Sequence, residues 1–172
     1  HTVGHRFKSC TAHFVFNKPI SSPSPRTKIT MPSPKFYKEY SVKNHLCTSG
    51  IIARNGKVLL GHRIYHDASY WVSPGGRCDK NEKPENAVLR EIAEEIGVTD
   101  ARIVRKLGKK EGAYSDENGK DTVVVFEIAT NQEPRLMEPE KFKEWKWFSI
   151  EEIPSNLPGQ QDKDFFKKAL NG

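Results

Sequence analysis

Three glutamates lie close together in the middle of the chain, at Glu91, Glu94 and Glu95. Residues three and four positions apart share one face of a helix, so this spacing would bring three carboxylates together. Like charges at this distance repel, and a divalent cation would turn the repulsion into attraction. Hard oxygen ligands favour Mg²⁺ or Mn²⁺, which also bind phosphates. Because Glu-rich surface helices are common, the glutamates alone still favour a solvated helix face.

The sequence around these glutamates predicts the helix that would carry them. Pro84 is suited to the first turn, and Gly97 is a typical C-terminal stop. Val88, Ile92 and Ile96 lie on another side of the predicted helix and can pack against a sheet. The carboxylates would therefore be held on a helix anchored by its apolar side.

The remaining pattern predicts strands on both sides of this helix. Asn55-Gly56 separates two apolar-rich runs and is a strong hairpin signal, since both residues tolerate positive φ. A rigid turn is expected at 71–76, and a closing amphipathic helix at 162–170. Strands are predicted at 45–53, 57–64, 102–107, 122–129 and 145–148. This mixture indicates the α/β class, with a mixed β-sheet sandwiched between α-helices.

The chain length of 172 residues indicates one domain, and the distribution of charge indicates a basic extension before it. Residues 1–38 carry seven basic side chains and no acidic one, whereas the rest of the chain has 21 basic and 22 acidic residues. The net charge of +6 therefore belongs to the extension, which disfavours a general nucleic-acid surface on the folded part. We expect 1–38 to be disordered or expression-derived, and 39–172 to form the domain.

The sequence gives limited information on cellular location and on the chemistry of the cysteines. No apolar run is long enough to span a membrane and no secretory segment is evident, so the expected location is cytoplasmic. Organelle targeting by the basic extension is the weaker alternative. The three separated cysteines, Cys10, Cys47 and Cys78, disfavour a disulfide framework or a structural zinc site.

The stretch 76–98 resembles the Nudix box, G-x5-E-x7-R-E-U-x-E-E-x-G-U, in which U is an aliphatic residue. A chance match of this length is rare, so the resemblance is specific. Every fixed position of the box is met, by Gly76, Glu82, Arg90, Glu91, Ile92, Glu94, Glu95, Gly97 and Val98.

The resemblance implies a Nudix fold and a role for each of these residues. Glu91, Glu94 and Glu95 would bind one to three Mg²⁺ (or Mn²⁺) ions, and Gly76 would let the main chain approach them. Arg90 would orient the carboxylates, while Glu82 would lie near the metal or organise the loop. Catalytic roles are accordingly expected for Arg90, Glu94 and Glu95.

Residues outside the box also resemble the family. Trp71-x-x-Pro74-Gly75-Gly76 is similar to its usual lead-in, so Gly75 and Gly76 are expected near the substrate. Arg63 ends a predicted strand where the family often places a phosphate-binding residue. By the same resemblance Glu140 is the candidate for an added metal ligand or general base, with Glu144 second. Core packing is the favoured role for Trp145 and Trp147 individually, although Trp147 remains a candidate for stacking on a base.

The resemblance implies metal-dependent hydrolysis of a phosphoanhydride bond in a nucleoside diphosphate-linked substrate. It predicts this reaction better than it predicts the particular substrate. Segments near 138–147 are similar to those of enzymes that cleave nucleoside triphosphates, which are the first expectation. Tyr114 favours dinucleoside polyphosphates instead, and an RNA 5′ end is a further alternative. ADP-ribose and coenzyme A fit less well. A non-catalytic nucleotide-binding module is the alternative from another class, although such proteins usually lack box glutamates. The oligomeric state stays open.

Overall fold

The structure, a computed structural model, describes residues 44–65, 68–112, 120–159 and 161–172. The expectations for the extension at 1–38, for Cys10 and for Tyr114 lie outside these ranges. Within them the strands are β1 (Leu46–Arg54), β2 (Lys57–Ile64), β3 (Ser69–Val72), β4 (Arg102–Glu111), β5 (Thr122–Ala129) and β6 (Phe142–Phe148), and the helices are α1 (Pro84–Ile96) and α2 (Asp162–Leu170).

The strands form one mixed sheet in the order β3-β2-β1-β5-β4, with β6 paired to β2. β1 and β5 are parallel, and the other pairs are antiparallel. The predicted hairpin joins β1 to β2, where Asn55 and Gly56 have φ of 51° and 73° and Arg54 pairs with Lys57. The predicted α/β class with a mixed sheet is confirmed.

The two helices cover opposite faces of the sheet. Alternation along a strand sends adjacent side chains to opposite faces, so Ile51 and Ile52 of β1 belong to different core clusters. Ile51 packs in the cluster that contains Phe166 of α2, whereas Ile52 packs in the cluster that contains Ile92 and Ile96 of α1. The apolar side predicted for α1 is therefore the side that anchors it.

Both ends of α1 lie where the sequence predicts them. Pro84 lies in the first turn, and Gly97 has φ of 66° and donates its N–H to the Ala93 carbonyl. The helix also lies close to β1, because a Cβ added at Gly50 would be 2.9 Å from Ile92 Cδ1. This close packing fixes the position of the helix, and so of the box glutamates, relative to β1.

Four strands differ from the predictions, and the smallest difference is at β1, which begins and ends one residue later than predicted. β3 was not predicted, yet Ser69–Val72 pairs along β2. β4 continues to Glu111 instead of ending at 107, and its pairing with β5 contains register shifts. β6 begins at Phe142 instead of 145. Long-range pairing extends β4 and β6, whereas Tyr70, Trp71 and Val72 of β3 favour strand by type. The turn predicted at 71–76 therefore begins after Val72. Within the described ranges, neither helix is long and apolar enough to cross a bilayer.

Candidate active site

The loop before α1 lies against β1 through main-chain hydrogen bonds. Thr48 N donates to the Gly76 carbonyl and Gly50 N donates to the Pro74 carbonyl, each at 2.8 Å. Gly75 has φ of 149°, and a Cβ added there would collide with the Thr48 carbonyl. The glycine pair therefore lets the loop run directly alongside the first half of β1, next to the helix that carries the glutamates.

Arg90 is the centre of the charged cluster. Its Nε and Nη2 donate to the two carboxylate oxygens of Glu82, both at 3.0 Å. Its Nη1 donates to Glu91 Oε1 and Glu94 Oε2 at 3.0 Å, and Nη2 also reaches the Arg77 carbonyl. The guanidinium thereby offsets the repulsion among the carboxylates and ties the loop to α1. This geometry accords with the orienting role expected for Arg90.

Glu95 differs sharply from Glu94, although both belong to the same helical turn. The Glu94 side chain is 53% exposed, whereas that of Glu95 is 3% exposed. Glu95 Oε2 accepts the Gly75 N–H at 2.9 Å, and Oε1 lies 3.5 Å from Arg63 Nη1. Burial raises the pKa of Glu95 to about 8, against the lowering effects of Gly75 and Arg63. Burial therefore favours the protonated form of this carboxyl, and the Gly75 N–H and Arg63 oppose it.

The pKa values of Glu91 and Glu82 are shifted in opposite directions. Burial raises the pKa of Glu91, with Arg90 acting in the opposite direction. The hydrogen bonds from Arg90 lower the pKa of Glu82. Glu82 also accepts the Asp79 N–H at 2.8 Å, so in this structure it organises the loop between Gly76 and α1.

The box residues fit a divalent ion by donor type. A Cβ added at Gly76 would lie 2.5 Å from Glu91 Cδ and Oε1, so the absence of a side chain is what lets this main chain meet the carboxylate. The donors are hard oxygens, and their repulsion is relieved by Arg90 without an ion. Within the described residues, no three His, Cys, Asp or Glu side chains already converge as a ligand set.

A cavity of about 190 Å³ opens beside the glycine pair. Arg63 joins the cavity to the box, since it lines the cavity and also approaches Glu95. Trp71 supplies an aromatic wall, stacked on His62 with ring centroids 4.7 Å apart. The cavity continues over the sheet to Phe166 and the start of α2. Its walls are mainly apolar, and five charged residues also line it, namely Arg63, Arg77, Lys110, Asp121 and Asp162.

Not every predicted site residue lies at this cavity. Trp147 packs in the core cluster on the α1 face, with the Arg54 guanidinium 5.1 Å from its ring centroid. Its pairing with Leu59 explains this position, because Leu59 faces α1. A stacking role for Trp147 therefore gains no support, whereas core packing does. Glu140 and Glu144 are both exposed, and their predicted roles stay predictions.

Three residues at this site were not singled out by the sequence. Glu138 is half-buried, and its charge is among the causes that raise the pKa of Glu95. It forms an ion pair with Lys141. Lys110 and Asp162 form a largely buried ion pair at the cavity wall. Glu138 lies in the acidic segment that the family resemblance marked, but Lys110 and Asp162 are brought together only by the tertiary fold.

The sequence matches the family model described as NUDIX domain over residues 43–169. A protein named RNA pyrophosphohydrolase from Wolbachia pipientis subsp. Culex pipiens (strain wPip) is 28% identical over 143 residues, covering 68% of this chain and 80% of the relative. Another protein of that name, from Wolbachia sp. subsp. Brugia malayi (strain TRS), is 33% identical over 119 residues, or 58% and 71% of the two chains. A protein named 8-oxo-dGTP diphosphatase from Proteus vulgaris is 38% identical over 58 residues, or 33% and 52%.

Solved structures share the fold over most of the described part of the chain. A MutT NUDIX hydrolase from Burkholderia pseudomallei superposes with a TM-score of 0.61 at 26% identity, covering 73% of this chain and 97% of the other. A NUDIX-family hydrolase from Clostridium perfringens gives a TM-score of 0.62 at 22% identity, covering 76% and 98%. The second likeness, at its lower identity, concerns the fold alone.

Proposed function

Because this chain belongs to the NUDIX domain family, we propose that it is a divalent-metal-dependent pyrophosphohydrolase acting on a nucleoside triphosphate. The observation that carries the proposal is the packing of Gly76 against Glu91, beside the buried Glu95. The proposal is also supported by the cavity of about 190 Å³ that opens beside the glycine pair, because Gly75 contacts Glu95. We expect Mg²⁺ as the bound ion, with Mn²⁺ as the alternative. Both ions bind carboxylate and phosphate oxygens.

Each part of the site has a role in this proposal. Glu91, Glu94 and Glu95, with the main chain at Gly76, would hold the ion. When bound, a divalent ion neutralises the anhydride oxygens and activates a water for attack on phosphorus. Arg63 supplies a fixed positive charge between the box and the cavity, where it can contact a phosphate. The nucleoside would occupy the cavity, with its phosphates at the glycine pair.

The first experiment measures substrate cleavage by chromatographic separation of the nucleotide products, with Mg²⁺, with Mn²⁺ and with EDTA. The substrates are nucleoside triphosphates, dinucleoside polyphosphates, ADP-ribose and triphosphorylated RNA. Glu94→Gln and Glu95→Gln should each lower kcat by orders of magnitude while far-UV circular dichroism is unchanged. Glu85→Gln is the matched control, because Glu85 is exposed in the first turn of the same helix. Full activity of both box variants would contradict the ligand assignment.

The general base requires its own comparison. Glu140 is the residue that the family resemblance favours, whereas the charge of Glu138 acts on Glu95 in this structure. We propose to compare Glu140→Gln with Glu138→Gln in single-turnover assays across pH. Loss of the acidic limb of the rate profile identifies the base, while an unchanged profile excludes the residue tested.

RNA with a 5′-triphosphate is a second candidate substrate, and two observations favour it. Relatives named RNA pyrophosphohydrolase match most of their own length. In addition, the edge strand β4 carries the exposed basic side chains Arg102, Arg105, Lys106 and Lys109 and then reaches the cavity at Lys110. Such a row could contact phosphates downstream of the first nucleotide. Lys106→Glu/Lys109→Glu should then lower kcat/KM for RNA and leave that for a free triphosphate unchanged.

A further inference from the structure

The segment that leads into β6 joins the C-terminal end of α1 to the end of β2. At its start, Met137 N donates to the Glu95 carbonyl at 3.3 Å. At its end, Ile64 N donates to the Lys141 carbonyl at 2.9 Å. Residues 137–141 therefore connect the helix that carries the box glutamates to the strand that borders the cavity.

A bulge in β6 lies where this segment joins the sheet. The pairs Gly61–Trp145 and Arg63–Phe142 are two positions apart on β2 but three positions apart on β6, so β6 holds one extra residue between them. Such a residue changes the direction in which the neighbouring side chains point. The Phe142 ring then packs 4.7 Å from the Trp145 ring, and the Arg63 guanidinium lies 5.2 Å from the centroid of Phe142. This packing places Lys141, the residue before Phe142, beside Arg63.

The Lys141 ammonium lies close enough to the box for the charges to act on each other. Its Nζ donates to Glu138 Oε1 at 2.5 Å. This hydrogen bond raises the pKa of Lys141, and the charge of Glu95 acts in the same direction. Burial raises the pKa of Glu91, while Arg90 and Lys141 lower it. Lys141 therefore contributes positive charge to the site that holds the metal ligands.

The ammonium of Lys141 also has hydrogen-bonding capacity for a ligand. An ammonium has three donors, and the contact with Glu138 uses one of them. The Lys141 side chain is 47% exposed, so a ligand in the site can reach it. Arg63 lines the cavity and approaches Glu95, whereas Lys141 lies outside the cavity lining. A chain of phosphates that leaves the cavity would thus meet Arg63 first and Lys141 after it.

We propose that Lys141 binds the terminal phosphate of a nucleoside triphosphate, the phosphate farthest from the nucleoside. With the nucleoside in the cavity and the first phosphate at the glycine pair, the chain would continue over the box to Lys141. A diphosphate would end at the box and leave Lys141 paired with Glu138. Lys141 thereby sets a preference for triphosphates over diphosphates. This inference rests on the proposed function, because it concerns the phosphate chain of the same substrate.

The test is calorimetric binding with Mg²⁺ of analogues of ATP and ADP in which methylene groups replace the bridging oxygens, so that no anhydride is cleaved. A hydrogen bond between two charged groups changes binding by about tenfold. The wild type should therefore bind the triphosphate analogue about tenfold more tightly than the diphosphate analogue. Lys141→Gln should remove this preference by weakening only the triphosphate complex, and Lys141→Arg should keep it because the positive charge remains.

Two further variants separate phosphate binding from a structural role. Lys143→Gln is the matched control, because Lys143 is an exposed lysine on β6 two positions away, and it should keep the preference. Glu138→Gln removes the partner of Lys141 but leaves the ammonium available. It should therefore keep or increase the preference for the triphosphate analogue.

The possible results separate this inference from the proposed function. Equal affinity of the wild type for the two analogues, or binding of neither, overturns the inference, and this comparison does not depend on how well the variants fold. An equal loss of the preference in Glu138→Gln and Lys141→Gln also overturns it, because the ion pair would then only support the turn before β6. If triphosphates are cleaved but Lys141→Gln keeps the preference, this inference alone fails. If the preference depends on Lys141 but no triphosphate is cleaved, the proposed function alone fails.

Discussion

Gly76→Ala is the substitution for which the structure predicts the clearest functional effect. The new Cβ would lie 2.5 Å from Glu91 Cδ and Oε1. An ordinary contact requires 3.4 Å or more, so the Glu91 carboxylate must move by about 0.9 Å. Because the displaced atoms are at the end of a flexible side chain, the fold should survive with a stability loss of less than about 1 kcal/mol.

Catalysis should respond far more strongly than stability to this displacement. Metal sites tolerate ligand errors of only about 0.2 Å, and misplacement by about 1 Å lowers rates by about 10²-fold. We therefore expect Gly76→Ala to lower kcat/KM by about 100-fold in steady-state assays of substrate cleavage. Urea unfolding should give nearly the same midpoint as the wild type.

A double variant tests whether the clash is the cause. Glu91→Asp shortens the side chain by one methylene, so in Gly76→Ala/Glu91→Asp the carboxylate no longer meets the new Cβ. The two effects should then combine to less than the product of the single losses. Near wild-type kcat/KM in Gly76→Ala, or strictly multiplicative losses, would refute the reasoning.

Three further predictions follow from the burial of individual groups. Burial raises the pKa of Glu95 from 4.5 to about 8 in the metal-free fold, so between these values the folded state binds the extra proton. With EDTA, unfolding free energy should therefore fall as pH rises from 5.5 to 8.5, and Glu95→Gln should weaken this fall. Gly50→Ala would place a Cβ 2.9 Å from Ile92 Cδ1. This overpacking should lower the free energy of unfolding in urea by about 1–3 kcal/mol. An unchanged midpoint would contradict the close packing of α1. Burial also raises the pKa of Cys47 to about 12, so this thiol should resist iodoacetamide at pH 8 until the protein unfolds, as mass spectrometry can show.

The predictable parts of the fold are those set by local signals. Pro84 and Gly97 bound α1 because one fits a helical first turn and the other adopts the left-handed conformation that ends a helix. Asn55-Gly56 fixes the first hairpin for a similar reason. β3 was missed because Ser69–Val72 is only four residues long and directly precedes the turn signal Pro74-Gly75-Gly76, although Tyr70, Trp71 and Val72 favour strand by type.

The candidate site also has features that local sequence predicts and features that depend on the tertiary fold. The box residues could be named from their spacing, because one helix and its preceding loop bring them together. Their individual environments could not, since Glu94 and Glu95 are identical in sequence terms yet differ in exposure by how α1 is rotated on the sheet. Lys110 and Asp162 are 52 positions apart, and only the packing of α2 against β4 and β5 makes them neighbours.

Direct counting of bound metal tests the central claim most sharply. Mn²⁺ binding followed by electron paramagnetic resonance would report on ions held by the wild type and by Glu95→Gln, with Glu85→Gln as the reference. We predict saturable binding of at least one ion by the wild type and by Glu85→Gln, and a large loss of affinity in Glu95→Gln. Equal Mn²⁺ affinity in all three proteins would contradict the account, because the ion would then be held elsewhere.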